Sequence, residues 1–175
     1  KLLKAKPENF IECYIAEQNM VGMALGLSVK GFNVFSSTFS AFLTRAHDQI
    51  RMASISNANL TFVGSHAGIS IGEDGPSQMG LEDISMFRCL PNSLIFYPSD
   101  AVSTEKITEL CSKIKGLKYI RITRAKTPVV YSNDTAFEIG GFNVIKQSKK
   151  DKAVIVGAGI TLHEALKAYD KLSKN

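Results

Sequence analysis

The sequence predicts an α/β fold: a doubly wound, mostly parallel sheet with helices on both faces, followed by the first βα unit of a second α/β domain. Three observations carry this. Short β-type apolar runs alternate with stretches whose apolar residues recur at helical spacing. A glycine-rich stretch, GSHAGISIGEDGPSQM at residues 64–79, leaves the end of one such run, where open α/β sheets gather their ligands. A polar tract, QSKKDK at 147–152, then precedes a strand, a glycine turn and a helix pattern.

Taken in order, FIECY reads as a short strand, followed by a helix from Glu17 with Met20, Met23, Ala24 and Leu27 on one face. Gly22 and Gly26 each cost that helix about 1 kcal/mol against alanine, which close approach of a second helix would offset. NVFSS reads as a strand and TFSAFLTRAHDQIRMASI as one long helix. NLTFVGS and SLIFYPS read as strands either side of the glycine loop and the helical LEDISMF. Pro98-Ser99-Asp100 supplies a turn and an N-cap for a helix with the stripe Ile107, Leu110, Cys111 and Ile114. KYIRIT is a further strand, and residues 126–147 read as short β segments and turns ending in FNVIK. AVIVGAG and ITLHEALKAYDKL then give the strand and helix of the second unit. Four segments, YIAEQN, SSTFSAF, GSHAGISIGEDGPSQ and TRAKTP, follow strands and are expected to converge on one rim.

The 175 residues, 45% hydrophobic and 21% charged, suit a soluble globular chain. No apolar run approaches the roughly 18 residues that span a bilayer, and KLLKAKPENF lacks the apolar centre of a signal peptide. KLLKAK is expected to be the tail of a helix that begins earlier. Three cysteines, Cys13, Cys89 and Cys111, without a CxxC pair, fit free thiols in a reducing compartment. The net charge of +5 comes from scattered lysines, which fits anionic small substrates better than nucleic acid.

Among candidate site residues, Glu17 is either a helix-start glutamate favoured by the macrodipole or a buried carboxylate whose pKa burial would raise for proton exchange. Phe39 and Phe42, at i and i+3, are either core or a shelf for a flat heteroaromatic ring. His66 stands among small residues, and Asp74 is either an Asx-turn residue or a ligand. The loop has no GK[ST] ending of a triphosphate site and no metal-ligand spacing. GAGITL lacks the third glycine of the dinucleotide fingerprint.

FIECYIAEQNMVGMALGL, STFSAFLTRAHDQIRMA, GSHAGISIGEDGPSQMGLEDISMFR, PNSLIFYPSDAVSTEK and IRITR together resemble the pyrimidine-binding domain of transketolase, most closely the animal-type enzymes. The resemblance covers nearly all of residues 7–125, and VIVGAGITLHEAL is similar to the start of the family's C-terminal domain. It implies a pyrimidine domain over 1–146 lacking its first βα unit, a linker at 147–152, and the start of the C-terminal domain at 153–175.

The resemblance also implies roles. Glu17 matches the catalytic glutamate that hydrogen-bonds N1′ of the aminopyrimidine of thiamine diphosphate, favouring the imino tautomer that takes the C2 proton. Phe42 matches the aromatic stacked on that ring, with Phe39, Gln78 and Ile15 around the cofactor; Ile15 would hold it bent. Gln78 stands where bacterial, yeast and plant forms have histidine, and animal-type enzymes share the glutamine. His66 and Asp74 match residues contacting the sugar, and Arg124 the arginine gripping substrate phosphate, for which a guanidinium fork is suited. The family's GDG…N motif for the diphosphate and its Mg2+ or Ca2+ is not in this sequence. It belongs to an N-terminal domain that meets the pyrimidine domain of the other subunit of a homodimer.

The expectation is therefore a cytoplasmic transketolase of the pentose phosphate pathway, moving a two-carbon ketol unit between ketose and aldose phosphates, with no nucleic acid or membrane partner and an inactive isolated chain. Deoxyxylulose phosphate synthase, which shares an IAEQ and STF-type pattern, is the enzyme alternative. A non-catalytic dimerisation or regulatory fragment is the alternative of another class.

Overall fold

A computed structural model describes residues 2–173. Lys1, Lys174 and Asn175, at the outer ends of the expected leading helix and of the second unit, lie outside the described residues. Helices α1 (Leu2–Ala5), α2 (Glu17–Val29), α3 (His47–Ile55), α4 (Asp83–Arg88), α5 (Ala101–Lys113) and α6 (Ile160–Leu172) accompany strands β1 (Val34–Phe39), β2 (Leu60–Ser65), β3 (Leu94–Phe96) and β4 (Leu117–Arg121). The sheet runs β1-β2-β4-β3, every neighbouring pair parallel. All four strands therefore end on one rim, with Phe39 level with Ser65 and Gly64 level with Arg121.

Period-two alternation sorts the side chains between two cores. Leu60 and Phe62 of β2 and Leu117 and Tyr119 of β4 face Val21, Leu43, Ile50 and Phe87 on the α2–α4 side. Val63 and Ile120 face Ile107 and Cys111 of α5 on the other. Phe87 stacks on Tyr119 with centroids 4.1 Å apart and planes 4° off parallel. Helices thus cover both faces of a parallel sheet, as the alternating pattern predicts. Asp100 caps α5: its Oδ1 accepts from the Ser103 amide, and the Ser103 hydroxyl reaches back to the Asp100 amide.

Four expectations need correction. FIECY forms no strand, and Ile11, Tyr14 and Ile15 are exposed. The expected long helix is instead the end of β1, a 3-10 helix (Ser40–Ala46) and the shorter α3. FNVIK and AVIVGAG carry no strand, with Val154 and Val156 about nine-tenths exposed. The reason for the missing strands is shared: a strand exists through its ladder, and these runs find no neighbour among the described residues. Helix α6 does form. It docks on the turn before α5, where buried His163 donates Nε2–H to the Ser99 carbonyl at 2.6 Å. Among the described residues, no helix is long and apolar enough to cross a membrane.

Candidate functional site

The rim assembles three of the four converging segments. YIAEQN is the fourth, and it follows no strand but opens α2 directly. Glu17 is the first residue of α2 and is buried, 6% exposed. Its carboxylate has no hydrogen bond or ion pair to any described residue, an expensive condition for a buried acid. α2 packs against the 3-10 helix that carries Phe42.

The junction of β1 with that 3-10 helix forms the aromatic shelf. Phe39 ends β1 in extended backbone and Phe42 lies in the 3-10 turn that follows at once, so the two rings stack nearly parallel, 6° apart with centroids at 5.2 Å. His66 stacks on Phe39 at 3.7 Å and 15°. Its backbone is left-handed, φ +57°, which is costly for a residue with a Cβ unless its surroundings enforce it. The enforcement is visible: Ala67 donates to the Ile122 carbonyl at 3.1 Å and Gly68 to that of Gly80 at 2.8 Å. Gly68, Gly72 and Gly75 all have φ near +80°, which accounts for the glycines of this loop.

Arg124, following β4, reaches over the loop. Nη1 donates to the Ile71 carbonyl at 3.2 Å and pairs with Asp74 at 3.1 Å, while Nη2 is 3.5 Å from Glu73. Two residues assigned to the sugar phosphate therefore touch one another. Gln78 accepts from the Ser77 hydroxyl in a 3-10 turn that packs against the Phe42 helix. Ile15, two residues before α2, is 92% exposed.

Sequence reasoning missed what lies beneath. Asp83, fully buried at the start of α4, accepts at one oxygen, Oδ2, from the Tyr119 hydroxyl at 2.6 Å and Arg121 Nε at 2.8 Å. Burial, followed by the Asp83 charge, pushes the Tyr119 phenol far up, so it stays a donor. Arg121 Nη2 donates to the Gly80 carbonyl at 3.0 Å, and the guanidinium lies 4.5 Å over the Tyr97 ring. The signal in the sequence was slight: Tyr119 and Arg121 are two apart in an apolar strand, hence on one face.

The profile of the family described as "Transketolase, pyrimidine binding domain" matches residues 1–130. The chain belongs to that family. Transketolase-like protein 1 of Bos taurus is 61% identical over 96% of this chain and 28% of its own length. Transketolase of Mus musculus is 54% identical over 98% and 28%. A solved structure described as "Split gene transketolase, inactive beta4 tetramer" superposes with a TM-score of 0.89 at 38% identity, covering 99% of this chain and 56% of that one. The chain thus spans little more than a quarter of the curated transketolase relatives. Among the described residues no cluster of three His, Cys, Asp or Glu is arranged to hold a metal ion.

Proposed function

We propose that this chain supplies the aminopyrimidine pocket and part of the sugar-phosphate site of a transketolase, which moves a two-carbon ketol unit from a ketose phosphate to an aldose phosphate. The observation that carries the reading is the buried, partnerless carboxylate of Glu17 on a helix packed against the Phe39–Phe42 shelf. A buried acid without a protein partner and a flat aromatic face fit a planar, weakly basic heterocycle, so these residues suit thiamine diphosphate. When bound, that cofactor supplies a stabilised carbanion equivalent at its thiazolium carbon.

The chain's own groups then divide the work. Glu17 holds a proton against the ring nitrogen N1′, in a pocket with little competing water. Phe42 stacks on the ring, Phe39 lines the same pocket, and Gln78 and Ile15 border the cofactor. His66 and Asp74 orient the sugar hydroxyls. Arg124 reads the substrate phosphate, exchanging its exposed contacts with Asp74 and Glu73 for a fork to two phosphate oxygens. In this reading residues 1–146 are the pyrimidine domain, 147–152 a linker and 153–175 the start of the C-terminal domain. Mg2+ or Ca2+ and the diphosphate are held by a separate N-terminal domain from a partner subunit in a homodimer formed through the pyrimidine domain. The open Gly22–Gly26 face of α2, where an added Cβ would meet nothing within 4 Å, supports such an assembly. The enzyme so composed is cytoplasmic and belongs to the pentose phosphate pathway.

The test is to combine the chain with a diphosphate-binding domain and supply xylulose 5-phosphate with ribose 5-phosphate, or pyruvate with glyceraldehyde 3-phosphate. Ketol transfer with the first pair is expected, and turnover of the second pair alone would overturn the reading. The chain by itself is expected to be inactive and to bind thiamine diphosphate weakly, since phosphate charge and metal coordination lie elsewhere. The description of the split-gene relative as an inactive tetramer supports this. Calorimetric binding at about −8 kcal/mol, micromolar affinity, would contradict it.

A further inference from the structure

We propose that Asp83 is a positioning residue: through Tyr119 and Arg121 it sets the glycine loop carrying His66, Asp74 and Gln78 against the Phe39–Phe42 shelf. The proposal rests on the transketolase reading above for its catalytic consequence, and on geometry alone for its mechanical one.

The geometry is that of a buried polar nucleus joining two limbs of the site. Asp83 is 0% exposed, and the Arg121 and Tyr119 side chains bind one of its oxygens. Its other oxygen, Oδ1, is buried without a partner among the described residues. A carboxylate placed for fold stability alone would be expected to use both oxygens. Here both strong donors converge on Oδ2, which fixes the guanidinium so that its Nη2 points at the Gly80 carbonyl. That carbonyl in turn accepts the amide of Gly68, two residues beyond His66. The same guanidinium lies 3.4 Å from the position a Cβ would take on Gly68. One cation thus binds the loop at Gly80 and lies close beside it at Gly68.

The shelf is tied to the same nucleus. A Cβ built on Gly80 would strike the Ser40 side chain, and one on Gly64 would strike the Tyr119 hydroxyl and approach Ser40 Cβ to 2.8 Å. Ser40 immediately follows Phe39 and opens the turn that carries Phe42. Shelf and loop therefore meet backbone to side chain at Ser40–Gly80, with Asp83 setting the loop half of the contact. Because misplacing a reacting group by about 1 Å can cost about a hundredfold in rate, such a nucleus is expected to act on substrate handling as well as on folding.

Tyr119→Phe and Arg121→Lys test this. The first deletes one donor to Asp83; the second keeps the charge but lacks the fork that spans Asp83 and Gly80. In the chain as it stands, native-state hydrogen exchange is expected to speed up by about tenfold or more at Ala67 and Gly68, with Val34–Ser37 unchanged, as local opening predicts. Equal acceleration throughout the sheet would show a merely structural role and overturn the proposal. In the assembled enzyme, KM for the ketose phosphate is expected to rise about tenfold while thiamine diphosphate affinity moves less than about threefold. An unchanged KM in a folded Arg121→Lys enzyme overturns it as well. If the unmutated assembly transfers no ketol unit, the transketolase reading fails, while the exchange pattern still decides the role of Asp83.

Discussion

Two buried acids, Glu17 and Asp83, sit at the starts of two helices of the same face, and their surroundings are opposite. Asp83 receives a phenol and a guanidinium at one oxygen. Glu17, almost as deeply buried, receives nothing from the described residues. A folding chain satisfies its buried charges unless something else is to satisfy them. The contrast separates an acid used to hold the site in shape from an acid left open for a ligand.

Breaking the Asp83 side should have the largest effect. Asp83→Asn leaves the Arg121 guanidinium, 10% exposed at its side chain, without its counter-charge. A loss of about 3–5 kcal/mol in urea unfolding is expected, and a loss under about 1 kcal/mol would mean that the pair holds little. Glu17→Gln should behave in the reverse way. Removing an unpaired buried charge is expected to leave stability unchanged or improved, while proton exchange at C2 of bound thiamine diphosphate in the assembled enzyme slows about a hundredfold or more. That is about 2.7 kcal/mol of barrier, read by deuterium exchange with acid quench and NMR. Near-normal exchange would return Glu17 to a helix-start residue.

Arg124→Ala sharpens the comparison at the exposed rim. Its pairs with Asp74 and Glu73 are solvated, so stability should barely move. Activity on phosphorylated sugars should fall by about 1.5–3 kcal/mol in kcat/KM, with little change on a non-phosphorylated ketose. The smallest effect is expected at Asp100, a third buried acid and, like Asp83, one that accepts several hydrogen bonds. Burial pulls its pKa up, but hydrogen bonds from the Tyr131, Ser103 and Val130 amides and the Ser103 hydroxyl outweigh it and hold the carboxyl below its ordinary value. The stabilisation is then complete above the unfolded pKa and fades as pH falls through the folded one. Asp100→Ala should cost about 1 kcal/mol at neutral pH. The gap to wild type should close as pH drops below about 4, measured by thermal unfolding across pH.

Much of this was legible in the sequence because its causes are local. The glycines of the 64–79 loop announced a backbone that leaves the right-handed region, and Pro98-Ser99-Asp100 announced a capped helix. The apolar β-type runs NLTFV and KYIRI, alternating with helical stretches, announced a parallel sheet covered on both faces. Three things were not legible. A strand that turns at once into a 3-10 helix also brings i and i+3 together, so Phe39 and Phe42 read correctly as a pair but not as residues of one helix. FIECY and AVIVGAG have strand composition, but composition does not supply the neighbour that makes a strand. The Asp83 nucleus joins residues 36 and 38 positions apart, and no local pattern reports a contact of that range. The roles given to Glu17, Phe42, His66, Asp74 and Arg124 came from resemblance to the family rather than from spacing.

Strand β4 carries one more buried charge, on the face turned away from Tyr119. Lys118 is 0% exposed, donating Nζ to Asn59 Oδ1 at 2.7 Å and to the Ile114 carbonyl at 2.9 Å, and burial lowers its pKa. It is the one buried lysine among the described residues. A less protonated amine is the more reactive one, yet no reagent reaches this amine while the strand is paired. Acylating reagents will therefore mark the other lysines at once and Lys118 only when the sheet opens, so the chain contains its own clock for how often its centre comes apart.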